Sequence, residues 1–446
     1  MTLQTGPEQM AGTMTRREFV RVTTLAAAGL ATGCAANPAT GRRQLMLVSE
    51  QQEIDIDRQN SPHQLSSDYG EVQDPELAGY LQRTGQSLVS VAHRREMPYR
   101  FKPVNATYIN AYAFPGGTIA ATRGILLKLQ NEGELASLLG HELGHVNARH
   151  TASQMSKGML TQVLVGGASV LAGTQSQAFG QLASQLGMLG AGALLASYSR
   201  DNEREADALG LKYMADAGYN PAGFEGLMGM LRRLNKERPS SIELMFSTHP
   251  MSEERYQNTV DAIRTQYPGR GDRPFYRERY LDHTAGLRRI GGAIEAMQLG
   301  EKEMAKENYT AAEERFRLAL DQAPDDYAGL LMMTKCLMAQ KKDSRAVPFI
   351  EKARTIYPRE PQALHLSGFI GIRQKRFENA LRNFEEYDRL LPGNPSISFL
   401  EGYCQEGMGR RREAATHYDA YLRKVRQGDM AKHAYTRLVQ WGFIRQ

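Results

Sequence analysis

Cysteine and tryptophan are scarce in this chain of 446 residues, which contains three of the first and one of the second. Three cysteines are too few for the dense disulfide framework that stabilises small secreted domains. The net charge is only +6, and no basic stripe is interleaved with aromatic residues, which argues against nucleic acid as a partner. With 41% hydrophobic residues, the chain indicates two or three domains with ordinary cores.

The most informative stretch is Glu134–His150, ELASLLGHELGHVNARH. Its apolar residues recur at helical spacing and no proline interrupts it, so we predict a helix with Asn131 at its N-cap. His141 and His145 are four residues apart, and they therefore share one face about 6 Å apart. Two imidazoles at this spacing can bind one tetrahedral zinc ion. Glu142 lies beside them and can take a proton from water.

A second motif, Ser199–Gly210, places Glu203 and Asp207 four residues apart on one helical face. A catalytic zinc site needs three protein ligands and one open position. We therefore predict one Zn²⁺ per chain, bound by His141, His145 and Glu203. Asp207 is suited to bind the free N–H of a ligand histidine and fix its tautomer. The alternative interpretation of Glu203 and Asp207 is a solvated, charged helix face.

H-E-x-x-H followed by E-x-x-A-D resembles the gluzincin metalloproteases of the CAAX prenyl protease and HtpX family. The likeness covers roughly residues 40–265, and its other motifs are Asn110–Tyr112, Pro115–Gly117, Arg149-His150, Thr248–Pro250 and Arg255. The resemblance implies an α+β fold, with a mainly helical zincin-type metalloprotease domain and a small β-sheet.

The resemblance also implies that His249 and Arg255 reach toward the zinc ion and stabilise the oxyanion of the tetrahedral intermediate. Two alternatives are open for His249. It can occupy the open zinc position and hold the enzyme inactive, or it can be a loop histidine that caps the following helix. Since three ligands are already present, we predict that His150 is a structural partner within the fold and not a ligand.

Two short strands are predicted upstream of the zinc helix, at Tyr108–Phe114 and Thr118–Thr122, with a turn at Pro115–Gly117. A sheet edge beside a zinc helix is a place where an extended peptide can bind by strand addition. The alternative is a hairpin that only serves the core. We favour peptide binding, mainly because of the family resemblance.

Residues 158–199 contain no charged residue and no histidine. Membrane-embedded relatives have a membrane hairpin in this region. Here glutamines such as Gln162, Gln181 and Gln185 break each apolar run well below the ~18–20 residues that a membrane-spanning helix needs. We therefore expect soluble helices that cover the active-site cleft.

Residues 1–33 are predicted to be an export signal peptide. They contain the twin-arginine pair Arg16-Arg17 and a short apolar region, Val22–Thr32, just before Cys34. Small residues before a cysteine resemble a bacterial lipoprotein cleavage site, so Cys34 is a candidate for lipidation and membrane anchoring. The alternative is a plain signal peptide with an incidental cysteine. In both cases we expect export to the periplasm, and we favour the outer over the inner membrane for a lipid anchor.

The C-terminal third has a period of 34 residues, and alanines at one repeat position are Ala312, Ala346, Ala380 and Ala414. This period is typical of tetratricopeptide repeats, so residues 293–446 are predicted to form an all-α solenoid of four repeats and a capping helix. Cys336 and Cys404 fall two repeats apart, which is beyond disulfide reach, and both should be buried and reduced. The concave surface of such an array binds peptides or partner proteins.

These patterns predict a metalloprotease domain at residues 34–267, a junction at 268–292 and the repeats at 293–446. Together with the family resemblance, they imply a zinc metalloendopeptidase of the bacterial cell envelope, which cleaves unfolded or misassembled envelope proteins in quality control. The repeats would dock on a protein partner, such as the outer-membrane assembly machinery. The competing class is a chaperone or assembly adaptor whose protease site is silent or latched.

Overall fold

The computed structural model describes residues 34–166, 198–237 and 240–444. The predicted signal peptide at residues 1–33 lies outside this part of the chain. So does most of the uncharged stretch 158–199, including the cover that we expect over the cleft. Within the described ranges, no helix combines the length and the apolar character that crossing a membrane requires.

The N-terminal region contains two small sheets. An antiparallel hairpin of β1 (Cys34–Ala36) and β2 (Arg43–Leu45) comes first. A three-stranded sheet follows, with strands β3 (Arg100–Val104), β4 (Ala111–Ala113) and β5 (Thr118–Thr122). The central strand β5 has the predicted bounds, and it pairs parallel to β3 and antiparallel to β4. Of the predicted strand Tyr108–Phe114, only the three residues of β4 pair with β5, so the strand is shorter than expected.

Nine helices of the described N-terminal region surround the sheet. They are α1 (Glu50–Ser67), α2 (Pro75–Val89), α3 (Arg123–Lys128), α4 (Glu132–Asn147), α5 (His150–Gly166), α6 (Arg200–Asp216), α7 (Ala222–Glu237), α8 (Glu243–Thr248) and α9 (Glu253–Gln266). Helix α4 is buried along its whole length, which makes it the centre of this region.

Helix α4 begins two residues earlier and ends three residues earlier than predicted. Asn131 caps it as expected, because its side chain accepts a hydrogen bond from the Glu134 backbone N–H. The helix stops at Asn147 because Arg149 adopts a left-handed backbone conformation with φ of 58°. His150 therefore starts a new helix, α5, which leaves α4 in another direction.

Helices α4 and α6 cross at very short range. A Cβ atom added to Gly210 would lie 2.8 Å from the backbone nitrogen of His141, and one added to Gly144 would lie 2.9 Å from the carbonyl oxygen of Ala206. Only glycine permits this approach of two backbones. The crossing brings the first turn of α6, which carries Glu203, against the histidine face of α4.

The C-terminal region is an array of paired helices, as the period of 34 residues predicted. Two short helices, α10 (Arg277–His283) and α11 (Ala285–Arg289), lie in the predicted junction. The array that follows consists of α12 (Gly291–Ala305), α13 (Tyr309–Gln322), α14 (Tyr327–Ala339), α15 (Asp343–Ile356), α16 (Gln362–Arg373), α17 (Phe377–Leu390), α18 (Pro395–Gly407), α19 (Arg411–Lys424) and the last helix, α20 (Asp429–Gln440). Cys336 and Cys404 are free and buried, which confirms the prediction for both.

The array packs directly on the N-terminal region. Arg123 and Asp326 form an ion pair across the boundary, and both side chains are buried. The hydroxyl of Ser66 donates to the carboxylate of Glu360 on the array. The junction contributes as well, since the Tyr280 hydroxyl donates to the carbonyl oxygen of Leu126 at 2.5 Å. The two regions therefore share a continuous packed boundary and not a bare linker.

Candidate metal centre

Four buried side chains meet where α4 and α6 cross. His141 and His145 occupy successive turns of α4, Glu203 lies in the first turn of α6, and His249 directly follows α8. One ligand atom from each of the four lies within 4.8 Å of all the others. The predicted alternative of a solvated charged face is wrong for Glu203, because its side chain is fully buried.

The spacing of these atoms suits one tetrahedral ion. In a tetrahedral zinc site with bonds of 2.0–2.1 Å, ligand atoms are about 3.3 Å apart. The Nε2 atoms of His141 and His145 are 3.1 Å apart, and His145 Nε2 is 3.3 Å from Glu203 Oε1. His249 Nδ1 lies 3.1 Å from the same Glu203 oxygen and 3.4 Å from His141 Nε2. Three imidazoles and one carboxylate thus point at a common centre.

The charge states of His145 and Glu203 also suit a divalent cation. Burial lowers the pKa of His145 well below its ordinary value, although the Glu203 carboxylate opposes the shift, so the ring is neutral. Burial alone would raise the pKa of Glu203, but His249, His145 and His141 outweigh it and hold this pKa well below its ordinary value. A neutral imidazole and an ionised carboxylate are the forms that bind zinc.

Asp207 and Arg255 lie directly behind these side chains. Asp207 Oδ1 is 2.9 Å from His141 Nδ1, which is the contact that the sequence predicted. The Arg255 guanidinium donates to both Asp207 oxygens at 2.7 Å and to the carbonyl of Pro250 at 2.9 Å. It also lies 2.7 Å from Glu203 Oε2. The guanidinium is therefore hydrogen-bonded to the Asp207 carboxylate and the Pro250 carbonyl and forms an ion pair with Glu203.

Glu142 is buried beside the four side chains. Its Oε1 atom lies 3.7 Å from His249 Nε2, and its Oε2 atom has no hydrogen-bond partner among the residues that the structure describes. Burial raises the pKa of Glu142, although His249 and His141 oppose the shift. A buried carboxylate with one unsatisfied oxygen and a raised pKa is suited to accept a proton and to return it.

His249 does not cap the following helix, so that alternative is wrong. The side chain of Ser252 accepts a hydrogen bond from the Arg255 backbone N–H and caps α9 instead. Pro250 prevents continuation of α8, and the ring of His249 turns inward to Glu203. Two alternatives remain for His249, an inhibitory zinc ligand or a stabiliser of the oxyanion. Its Nδ1 atom lies where the fourth ligand of a tetrahedral ion would be, as expected for the first.

Sequence reasoning missed three residues around His145. The ring of Tyr198 stacks on that of His145 with centroids 3.8 Å apart, and its hydroxyl is 3.0 Å from Thr151 Oγ1. Glu205 contacts His150, and Asn37 contacts Glu205. Glu205 was visible inside the E-x-x-A-D motif, but nothing in the sequence relates Asn37 to it. Cys34, the predicted lipidation site, begins the hairpin that carries Asn37.

The comparisons with known proteins agree with this geometry. Residues 75–263 match Peptidase family M48, and residues 303–367 match a tetratricopeptide repeat family. The chain is 32% identical over 203 residues to the beta-barrel assembly-enhancing protease of Escherichia coli strain K12, which is 44% of this chain and 41% of that protein. It is 30% identical over 216 residues to Metalloprotease YcaL of the same strain, which is 48% of this chain and 78% of that protein.

Fold and site together define an α+β metallopeptidase-type domain followed by a helical repeat array. The chain belongs to Peptidase family M48. The family resemblance and the fold class predicted from the sequence are thereby confirmed. The match spans less than half the length of the beta-barrel assembly-enhancing proteases, including that of Yersinia pestis at 30% identity, 44% of this chain and 41% of that protein.

Proposed function

We propose that this protein is a zinc metalloendopeptidase whose metal ligands are His141, His145 and Glu203. The observation that carries the proposal is the buried convergence of these side chains, with the unsatisfied carboxylate of Glu142 beside them. When bound, zinc would supply a Lewis acid that polarises a peptide carbonyl and acidifies water. Family membership and the relatives named as proteases support this chemistry.

Glu142 carries the proton transfers in this proposal. It accepts a proton from the attacking water and passes it to the nitrogen of the leaving amine, and the burial that raises its pKa makes it a stronger base than an exposed carboxylate. Asp207 orients the ring of His141 by accepting its Nδ1–H. We assign Arg255 a positioning role in place of the predicted oxyanion role, because it donates to both Asp207 oxygens and is ion-paired with Glu203.

A second candidate function rests on His249. Its Nδ1 atom lies at the fourth corner of the site, where a catalytic centre needs room for water and substrate. If His249 binds the metal through this atom, the centre is latched, and peptide cleavage requires the His249 segment to move. A protein that stays latched would act as the chaperone or assembly adaptor that we weighed from the sequence.

Substrates and place of action follow from the relatives and from the fold. We infer that the substrates are unfolded or misassembled proteins of the bacterial envelope, since several relatives are named for beta-barrel assembly. Strand β4 lies at a sheet edge, which suits binding of a peptide backbone by strand addition. The repeats would hold a protein partner. Export to the periplasm and a lipid anchor at Cys34 complete the proposal.

The decisive experiment compares the wild-type chain with Glu142→Gln in zinc content and in degradation of casein. We expect one zinc per chain in both, and a loss of cleavage by about 10²–10⁴-fold in the variant. Glu134→Gln is the matched control, because Glu134 is another buried carboxylate of α4 with a raised pKa, and it lies outside the site. A chain without zinc, or a Glu142→Gln protein with full turnover, contradicts the proposal.

A further inference from the structure

The hairpin β1–β2 is tied to the body of the protein through a buried asparagine. Asn37 is only 2% exposed, and it lies in the turn after β1. Its Oδ1 atom accepts hydrogen bonds from the backbone N–H groups of Ala39 and Thr40 at 2.9 and 3.3 Å. Its Nδ2 atom points away from the turn and donates to Glu205 Oε1 at 3.0 Å. One amide therefore closes the turn and contacts helix α6.

This contact continues inward as far as His145. The other carboxylate oxygen of Glu205 lies 3.1 Å from His150 Nε2. The second ring nitrogen of His150, Nδ1, lies 2.9 Å from Nδ1 of His145. Both rings are almost completely buried, so water does not compete for these contacts. The chain Asn37–Glu205–His150–His145 is therefore continuous.

The chemistry of the four groups determines which is the donor and which the acceptor in each hydrogen bond between Asn37 and His145. A carboxylate only accepts, so His150 carries its proton on Nε2 and donates it to Glu205. A neutral His150 then has a bare Nδ1, which accepts from Nδ1–H of His145. That tautomer leaves the lone pair of His145 on Nε2, the atom that faces Glu203 and His141. The hydrogen bonds thus set the ring of His145 in its metal-binding form.

We propose that Asn37 is a positioning residue of the metal centre, and that it acts through Glu205 and His150 on the tautomer and orientation of His145. The N-terminal hairpin is then part of the site, although it lies more than a hundred residues before His145 in the chain. This inference rests on the proposed function, because it takes His145 as a zinc ligand.

Asn37→Asp tests the link without disturbing the turn. The aspartate keeps an oxygen for the Ala39 and Thr40 N–H groups, but it replaces the donor to Glu205 by a second acceptor. Loss of the direct outer contact of a ligand histidine, here that of His150 with His145, costs about 10–100-fold in metal affinity. Asn37 acts through two further contacts, so we expect zinc affinity, measured by competition with a chelator in the full chain, to fall by about tenfold, the lower end of this range.

Gln44→Glu is the matched control in the same hairpin. Gln44 donates to the carbonyl oxygen of Ala148 at 3.0 Å, so this change also converts an amide donor into a carboxylate, but outside the proposed chain. We expect its zinc affinity to equal that of the wild type. An equal loss in Gln44→Glu and Asn37→Asp would overturn the proposal, since damage to the hairpin in general would then explain both.

The double variant Asn37→Asp/Glu205→Gln should restore the series of hydrogen bonds to His145, with donor and acceptor exchanged between positions 37 and 205. The glutamine amide donates to the aspartate, and its carbonyl oxygen still accepts from His150 Nε2–H. We expect zinc affinity to recover toward the wild-type value, and the visible spectrum of the cobalt-substituted protein to recover with it. A folding defect would not be repaired by this exchange.

The outcomes separate this inference from the proposed function. Unchanged affinity in Asn37→Asp, or no recovery in the double variant, overturns the role of Asn37 alone. A wild-type chain that binds zinc but cleaves no casein contradicts the proposed function, while the affinity series still decides the role of Asn37. A wild-type chain that binds no zinc overturns both.

Discussion

At the scale of single residues, the centre contains more potential ligands than a catalytic zinc needs. In the proposed function His141, His145 and Glu203 are the three protein ligands, and His249 brings a fourth potential donor to the same point. A tetrahedral ion has no place left for water when all four bind. His249 lies on the short segment between α8 and α9.

His249→Ala decides whether this histidine latches the site or assists the chemistry. If it latches the site, we expect zinc to be retained by the other three ligands and casein cleavage to increase. A closed state favoured by only ~1.4 kcal/mol holds about nine-tenths of the molecules, so its loss raises the rate roughly tenfold.

The opposite result has an equally clear meaning. If His249 stabilises the oxyanion, its removal lowers the cleavage rate by about 10²–10³-fold at full zinc occupancy. Zinc content must therefore be measured on the same protein samples, because loss of metal would also abolish cleavage.

At the scale of secondary-structure elements, the site depends on how closely α4 and α6 approach each other. Gly140 faces Gly210 across the crossing, and a Cβ atom on Gly210 would meet backbone atoms of His141 and Gly140 at 2.8–3.0 Å. Backbone atoms in a buried helix cannot move aside as the end of a flexible side chain can. The distance between the helices, and with it the position of Glu203, therefore depends on the absence of side chains at this crossing.

Gly210→Ala should separate the two helices and pull Glu203 away from the histidines. We expect the free energy of unfolding to fall by about 1–3 kcal/mol, the usual range for overpacking, and zinc affinity to fall with it. Calorimetry of the metal-free chain and chelator competition measure the two effects.

Gly229→Ala is the control for Gly210→Ala. Gly229 also lies inside a helix, α7, but a Cβ atom there has no neighbour nearer than 3.9 Å. Both substitutions gain up to about 1 kcal/mol of helix propensity, so their difference isolates the clash at the crossing. Equal stability and equal zinc affinity of the two variants would contradict this account.

The elements that the sequence predicted well are those with a local signal. The His141–His145 spacing, the Asn131 cap and the period of 34 residues each rest on residues close together in the chain or on a repeated pattern. The parallel pairing of β3 with β5 was missed, because parallel partners need a long connection that no turn residue marks. Asn37 was missed for the same reason, since a single polar residue in a turn does not indicate a partner 168 positions away.

Helix ends were the other weak point of the sequence analysis. Arg149 interrupts the helix predicted to reach His150 by adopting positive φ, a conformation that is uncommon outside glycine and that composition does not reveal. The break matters for the site, because it turns His150 back toward His145 instead of carrying it away along α4.

At the scale of the whole molecule, buried carboxylates join the repeat array to the N-terminal region. Glu360 lies between α15 and α16 and accepts hydrogen bonds from Ser66, from the Tyr327 hydroxyl and from the Gln362 backbone N–H. Glu301 on α12 accepts from Thr107 in the same boundary. Burial raises the pKa of both glutamates, although hydrogen bonds to each oppose the shift. At Glu360 and Glu301 the boundary therefore favours the uncharged carboxyl form.

This shift makes the stability of the boundary depend on pH with a definite sign. The pKa of Glu360 is higher in the folded chain than its ordinary value of 4.5. Between these two values the folded state binds more protons than the unfolded state, so the free energy of unfolding falls as the pH rises through that window. Above the folded pKa, the cost of the buried charge is constant.

Glu360→Gln removes this cost and keeps the hydrogen bonds. The glutamine oxygen can accept from Tyr327 and Gln362, and its amide can donate to the Ser66 hydroxyl. We expect the thermal midpoint of the variant to exceed that of the wild type at pH 8. The difference should vanish below pH ~4, where Glu360 is protonated in both states. Glu351→Gln, an exposed site on α15, serves as the control and should show no such dependence on pH.

A Glu360→Gln variant less stable than the wild type at pH 8 would mean that Ser66 and Tyr327 stabilise the ionised form of Glu360 more than burial opposes it. The hydrogen-bond donors of the boundary would then stabilise a charged Glu360, and the free energy of unfolding would rise, not fall, as the pH increases.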